Sequence, residues 1–160
     1  MTLAVVEAAF RGDRATVEAL IDAKVPEEWP GRAIVERAFS ASLDDIRAAP
    51  TARLWGDRLM ISEDRVVVGS VVFHGRPDDG IAEVGYGVED RWQQKGFATE
   101  ATRACVGWAL EQDGIIAVSA TTPPWHHASI RVLERSGLVR VGSEGHEVLG
   151  EVLRFERRRS

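Results

Sequence analysis

The sequence predicts an α/β (α+β) fold: one domain with a central mixed, mostly antiparallel sheet flanked by helices. Three observations lead there. The apolar spacing is helical through the first fifty residues and becomes strand-like after Pro50. A strand, a polar turn, a helix and a second strand follow one another across residues 81–121, the pattern of a strand-helix-strand unit. The chain has 160 residues, 44% of them apolar and 28% charged, which suits one soluble domain with a buried core. No repeat, low-complexity tract or linker divides it, so residues 1–160 are expected to form a single domain.

The elements follow in order. A short strand is expected at the start. Asp13 then caps a helix to about Lys24, with Val17, Leu20 and Ile21 on one face. Pro26 and Pro30 break it, and Pro30 suits the first turn of a second helix at about 32–48. Residues 54–62 and 66–74 are β-rich runs joined at Glu63-Asp64-Arg65, a hairpin signal. A turn at 75–80 leads to a third strand, 81–88. Helical spacing resumes in Phe97, Ala101, Ala104, Cys105, Trp108 and Ala109, and Gly114 ends that helix. A strand at 115–121, a helix at 128–136 stopped by Gly137, and strands at 139–142 and 148–155 complete the chain.

Composition excludes several functions. A formal net charge of −5 gives no electrostatic footprint for nucleic acid or an anionic membrane. The single cysteine, Cys105, rules out an intramolecular disulfide or a Cys cluster for zinc, and its place on an apolar helix face reads as core. The first residues lack the basic region and apolar run of a signal peptide, and no stretch is long enough to span a membrane. The cytoplasm is the expected compartment. His126 and His127 are adjacent, with no carboxylate or third histidine near in sequence, so no metal is expected.

The most informative segment runs from Glu83 to Ala101. A strand ends at Val88, and a helix begins near Gly96. The free N–H groups and dipole of a helix start form an anion site. Gly96 tolerates positive φ and close ligand approach, Ala98 is small, and Lys95 adds a mobile positive charge. Gly85-x-Gly87 is followed by Asp90 where a dinucleotide fingerprint needs glycine, and no P-loop run exists.

Gln93-x-x-Gly96-x-Ala98 resembles the Gln/Arg-x-x-Gly-x-Gly/Ala pyrophosphate loop of the GNAT superfamily of acyl-CoA N-acyltransferases. The fuller run 95–101 is similar to the RimJ/RimL ribosomal-protein acetyltransferases and their relatives. A second block, His126-His127-Ala128-Ser129-Ile130-Arg131-Val132-Leu133-Glu134, resembles that branch's Asn-x-x-Ser-Ile-Arg-Val-Leu-Glu helix. The resemblance covers about 59–141 and fades over the first fifty residues, where such enzymes build the acceptor site.

The resemblance implies acetyl-CoA as co-substrate, with main-chain N–H groups of Gln94, Lys95, Gly96, Phe97, Ala98 and Thr99 on its pyrophosphate and Gln93 at the motif's head. It further implies that the strands at 81–88 and 115–121 splay around the pantetheine arm. A backbone N–H near Tyr86, Gly87 and Val88 would then polarise the acyl carbonyl. His126, in place of the branch's asparagine, and Arg131 complete the implied cofactor contacts. The acceptor would be a small-molecule or peptide amine. Such enzymes often dimerise, so a homodimer is an expectation.

Aminolysis of a thioester needs a neutral amine, a polarised carbonyl and a proton for the departing thiolate. Glu83, two residues before Gly85, is the candidate base, or else an ordinary strand carboxylate. The tyrosine that protonates the thiolate in many relatives is replaced by Leu133. Ser129, one turn earlier on that helix face, is the substitute acid or else a helix-start hydroxyl. A CoA-binding sensor without turnover, or a phosphate-ligand domain unrelated to CoA, are the rival readings.

Overall fold

The structure is a computed structural model, and it describes residues 1–27, 47–48, 55–75, 77 and 79–160. The expected helix at 32–48 falls outside the described residues except for 47–48. Two compact units are distinguished: residues 1–72 with 86–97, and residues 73–85 with 98–160.

The first unit opens with a helix, where a strand was expected. Helix α1 (Leu3–Phe10) is capped by Thr2, whose hydroxyl accepts from the Val5 N–H at 3.4 Å. Val5, Ala8 and Ala9 recur at helical spacing and bury against Val17, Val25 and Val67. That stripe and the cap outweigh the strand preference of the Val5-Val6 pair. Helix α2 (Arg14–Ile21) starts where expected: Asp13 accepts from the Thr16 N–H at 3.1 Å and from its hydroxyl at 2.6 Å. It stops three residues short of Lys24, because Asp22 takes a left-handed conformation at φ 49°. Arg65 secures that end, donating to the carbonyls of Asp22 at 2.6 Å and Ile21 at 3.1 Å.

Arg65 belongs to the expected hairpin turn. It joins β1 (Arg58–Ile61) to β2 (Val67–Phe73), which pair antiparallel. Strand β3 (Ile81–Val88) has its first five residues in the second unit, where it begins parallel to β4 (Ala117–Thr122), and β6 (Gly150–Arg158) runs antiparallel to both β4 and β5 (Val139–His146). The six strands hydrogen-bond in the order β1-β2-β3-β4-β6-β5, so the sheet is mixed and mostly antiparallel. Helix α3 (Phe97–Glu111) buries Cys105, Val106, Ala109 and Leu110, confirming Cys105 as core. Helix α4 (His127–Arg135) packs against β4.

Successive strand positions alternate between sheet faces, and this fixes the character of each face in the second unit. Ala82, Val84, Val118, Ala120, Leu153 and Phe155 point into the core. The opposite face carries Glu83, Ser119, Thr121, Arg154, Glu156 and Arg158.

Candidate active site

The parallel ladder between β3 and β4 has three rungs, Ile81↔Ala117, Ala82↔Val118 and Glu83↔Ser119. It ends there, although β3 continues to Val88 and β4 to Thr122. Strand β4 meanwhile keeps six rungs with β6, through Thr122↔Leu153. The strands therefore part after Glu83, and an extended ligand carrying amides can pair with the edges so exposed.

Glu83 occupies the last rung and is half-buried. Its carbonyl accepts from the His74 N–H at 3.0 Å, which fixes the backbone. Its carboxylate makes no ion pair or hydrogen bond among the described residues. Glu156, on the same face, is differently placed. It is 4% exposed and held between Arg158, 2.7 Å away, and Arg154, 3.6 Å away. Two guanidinium groups offset the charge of Glu156, so Glu83 is the carboxylate of this face open to a cationic amine.

Tyr86, Gly87 and Val88 form the end of β3. Strand β2 comes very close to them at Gly69. A Cβ there would sit 2.2 Å from the Gly87 carbonyl oxygen and 2.9 Å from the Val88 Cα. Only glycine permits this approach, so Gly69 shapes the strand end where the acyl carbonyl is expected. Sequence reading missed Gly69, although a glycine inside a β-branched run is the usual signal of close backbone approach.

The turn after β3 is built from a short 3-10 segment, Asp90–Trp92, and residues 93–96. Gln93 braces it, donating through Nε2 to the Val88 carbonyl at 3.1 Å and to Asp90 at 3.0 Å. Gln94 and Gly96 both have positive φ, 61° and 93°. No acceptor among the described residues takes the backbone N–H groups of Gln94 to Thr99. A helix start leaves such donors without intrahelical partners. Here they fall on three exposed residues, Gln94, Lys95 and Gly96, and three half-buried ones, Phe97, Ala98 and Thr99. A Cβ on Gly96 would meet nothing within 4 Å, so its approach is open. Lys95 rests its ammonium 4.6 Å from the Trp92 ring centre, and Trp92 meets Phe97 edge-on at 5.9 Å.

On α4, His126 takes the N-cap position without a side-chain capping bond and stacks on exposed Trp125 at 5.7 Å. Ser129 is half-buried on the first turn, and Leu133, one turn on, is fully buried. Arg131 is exposed. Among the described residues, no group of three or more His, Cys, Asp or Glu side chains could hold a metal, and no helix is long and apolar enough to cross a membrane.

Comparison with known proteins bears on this geometry. A family model described as an acetyltransferase (GNAT) domain matches residues 3–139. An uncharacterised N-acetyltransferase, YjdG of Bacillus subtilis (strain 168), is 28% identical over 74 residues, 46% of this chain and 44% of the relative. The chain spans about half the length of the curated relatives it matches. Among solved structures, a ribosomal-protein-S5-alanine acetyltransferase from Vibrio fischeri has a TM-score of 0.64 at 15% identity, covering 99% of this chain and 88% of that one. AAC(6')-Ib in complex with paromomycin and acetyl-CoA has a TM-score of 0.58 at 19% identity, covering 82% and 85%. These two likenesses are likenesses of fold.

Proposed function

Because the chain belongs to the GNAT acetyltransferase family, we propose that it transfers an acetyl group from acetyl-CoA to a primary amine, by direct attack in a ternary complex. The observation that carries this reading is the parting of β3 and β4 after Glu83, followed along the chain by a turn of unpaired backbone donors. The reading treats residues 1–160 as one N-acetyltransferase domain.

The pyrophosphate lies on the N–H groups of Gln94 to Thr99, with Gln93 holding the turn and Lys95 adding charge. Backbone donors in fixed positions suit an anion because binding requires no reorganisation. The pantetheine arm runs along the freed edges, with His126 and Arg131 contributing from α4. The acyl carbonyl meets a backbone donor among Tyr86, Gly87 and Val88.

Glu83 takes a proton from the ammonium form of the acceptor. The neutral nitrogen attacks the thioester carbon, and the carbonyl electrons move onto oxygen. Collapse then breaks the carbon–sulfur bond. The remaining extra proton leaves the nitrogen and passes through the Ser129 hydroxyl, which gives up its own proton to the thiolate as it gains the other, and Glu83 releases the first proton to solvent. Names of fold neighbours mention a ribosomal-protein alanine and a complex with paromomycin. The acceptor class therefore includes peptide N-termini and small polyamino compounds. A cytoplasmic location and a homodimer belong to the same reading.

Release of free thiol from acetyl-CoA, measured with a panel of peptides, aminoglycosides and polyamines, tests the proposal. Amine-dependent release by the wild type is expected. A Ser129→Ala protein should be slower, and less so with a donor whose thiol leaves more readily. Tight CoA binding with no amine-dependent release across the panel would favour a sensor that grips CoA without turnover.

A further inference from the structure

The polar face of the second unit carries two hydroxyls that the mechanism leaves unused, Ser119 and Thr121, and Ser119 is the one in register with Glu83. Ser119 stands opposite Glu83 on the last rung between β3 and β4, and opposite Glu156 in the ladder between β4 and β6. Residues in register on neighbouring strands share a sheet face, with strands about 4.8 Å apart. Ser119 is thus flanked by two carboxylates, one on each side. It is half-buried, and its hydroxyl makes no hydrogen bond among the described residues.

The two carboxylates do not compete equally for it. Glu156 is already held by Arg154 and Arg158, whereas Glu83 has no partner among the described residues. Strand β4, Ala117–Thr122, carries no charged residue of its own. A donor one strand away from a lone carboxylate forms a charge-assisted hydrogen bond, which is roughly twice as strong as a neutral one. The side chain of Glu83 is long enough to meet that hydroxyl by a rotamer change.

We propose that Ser119 is a positioning residue for Glu83: its hydroxyl donates to the Glu83 carboxylate and holds it at the point where the strands part. The proposal rests on the reading of Glu83 as base. One carboxylate oxygen is then anchored to β4, and the other is left to receive the amine proton. Without the anchor, the carboxylate samples rotamers that point away from the reacting nitrogen, which lowers the rate without touching cofactor binding.

The test is a double-mutant cycle on the full chain, with kcat read at saturating acetyl-CoA and CoA affinity read by calorimetry. Ser119→Ala should lower kcat about ten-fold, the scale of one hydrogen bond to a charged group, and leave CoA affinity unchanged. Ser119→Thr keeps the hydroxyl on a strand-compatible residue and should restore most of the rate. In a Glu83→Gln background, Ser119→Ala should have little further effect, because groups that act as a unit are not additive. Equal losses with and without Glu83, or a threonine variant as slow as alanine, would overturn the positioning role while leaving the base in place. A Glu83→Gln protein with wild-type kcat would overturn the base reading, and this proposal with it.

Discussion

Gly96 adopts φ 93° at the mouth of α3, in open space, with unpaired N–H groups on either side. A β-branched residue is a genuine outlier at that φ, and its side chain would fill the approach of a pyrophosphate. Gly96→Val should therefore weaken CoA binding by more than ten-fold, on the order of 1.4 kcal/mol. Unchanged affinity by calorimetry in a folded variant would remove the phosphate turn from the account. Glu83 makes a different kind of claim, one about rate. Glu83→Gln keeps the shape of the side chain and should leave CoA affinity nearly intact while lowering transfer about 100-fold, the usual scale of a general base. A rate within about three-fold of wild type across pH would make Glu83 a structural strand residue. Asp57 bears on stability. Burial pushes its carboxyl from the ordinary 3.8 up to about 6, partly opposed by the Met1 ammonium, and its Oδ1 has no hydrogen-bond partner among the described residues. The folded state therefore holds the proton more tightly than the unfolded one. Stability from this group is lost as pH rises from about 3.8 to about 6. Asp57→Asn should stabilise the protein at pH 8 by on the order of 2 kcal/mol, read as a raised melting temperature, and the gain should vanish near pH 4. A pH-independent difference would contradict that cause.

Between elements, the sharpest constraint is the passage of β2 past the end of β3. A Cβ at Gly69 would lie 2.2 Å from a backbone oxygen, which cannot rotate away as a side chain can. Gly69→Ala should destabilise the protein by about 1–3 kcal/mol, the cost of an overpacked site, as read by urea unfolding. It should also slow transfer by displacing Gly87 and Val88. A variant of wild-type stability would show that the strands separate readily there. Element scale is also where sequence reading divides into success and failure. Strand 81–88, the Asp13 cap, the hairpin at 63–65 and the start of α3 were legible because their signals are local: a capping side chain, a turn tripeptide, a glycine, an alternating run. The opening helix, expected as a short strand, was not legible because the partners of its apolar stripe, Val25 and Val67, lie far along the chain. Gly69 beside Gly87, and the row Glu83–Ser119–Glu156, depend on strand register, which no single segment encodes. The candidate base was thus readable, whereas its neighbours across the sheet were not.

At the scale of the whole molecule, we propose that acetyl passes from sulfur to nitrogen without stopping on the protein. The sole cysteine is consistent with this, since Cys105 is buried on α3 with 8% exposure, and a thiol relay needs an accessible thiolate. Family membership supports acetyl transfer, and the acceptor proposed for it is an amine, cationic in water and drawn to the carboxylate of Glu83. The most direct test follows the acetyl group itself. Acetyl-CoA labelled in the acetyl carbon is mixed with the protein in single-turnover amounts, with and without an accepting amine, and the label is traced by mass spectrometry. Direct transfer predicts label in the amine alone, appearing in step with free thiol, and an unmodified protein in both mixtures. Label on the protein in the absence of amine, chased onto the amine when it is added, would contradict direct transfer.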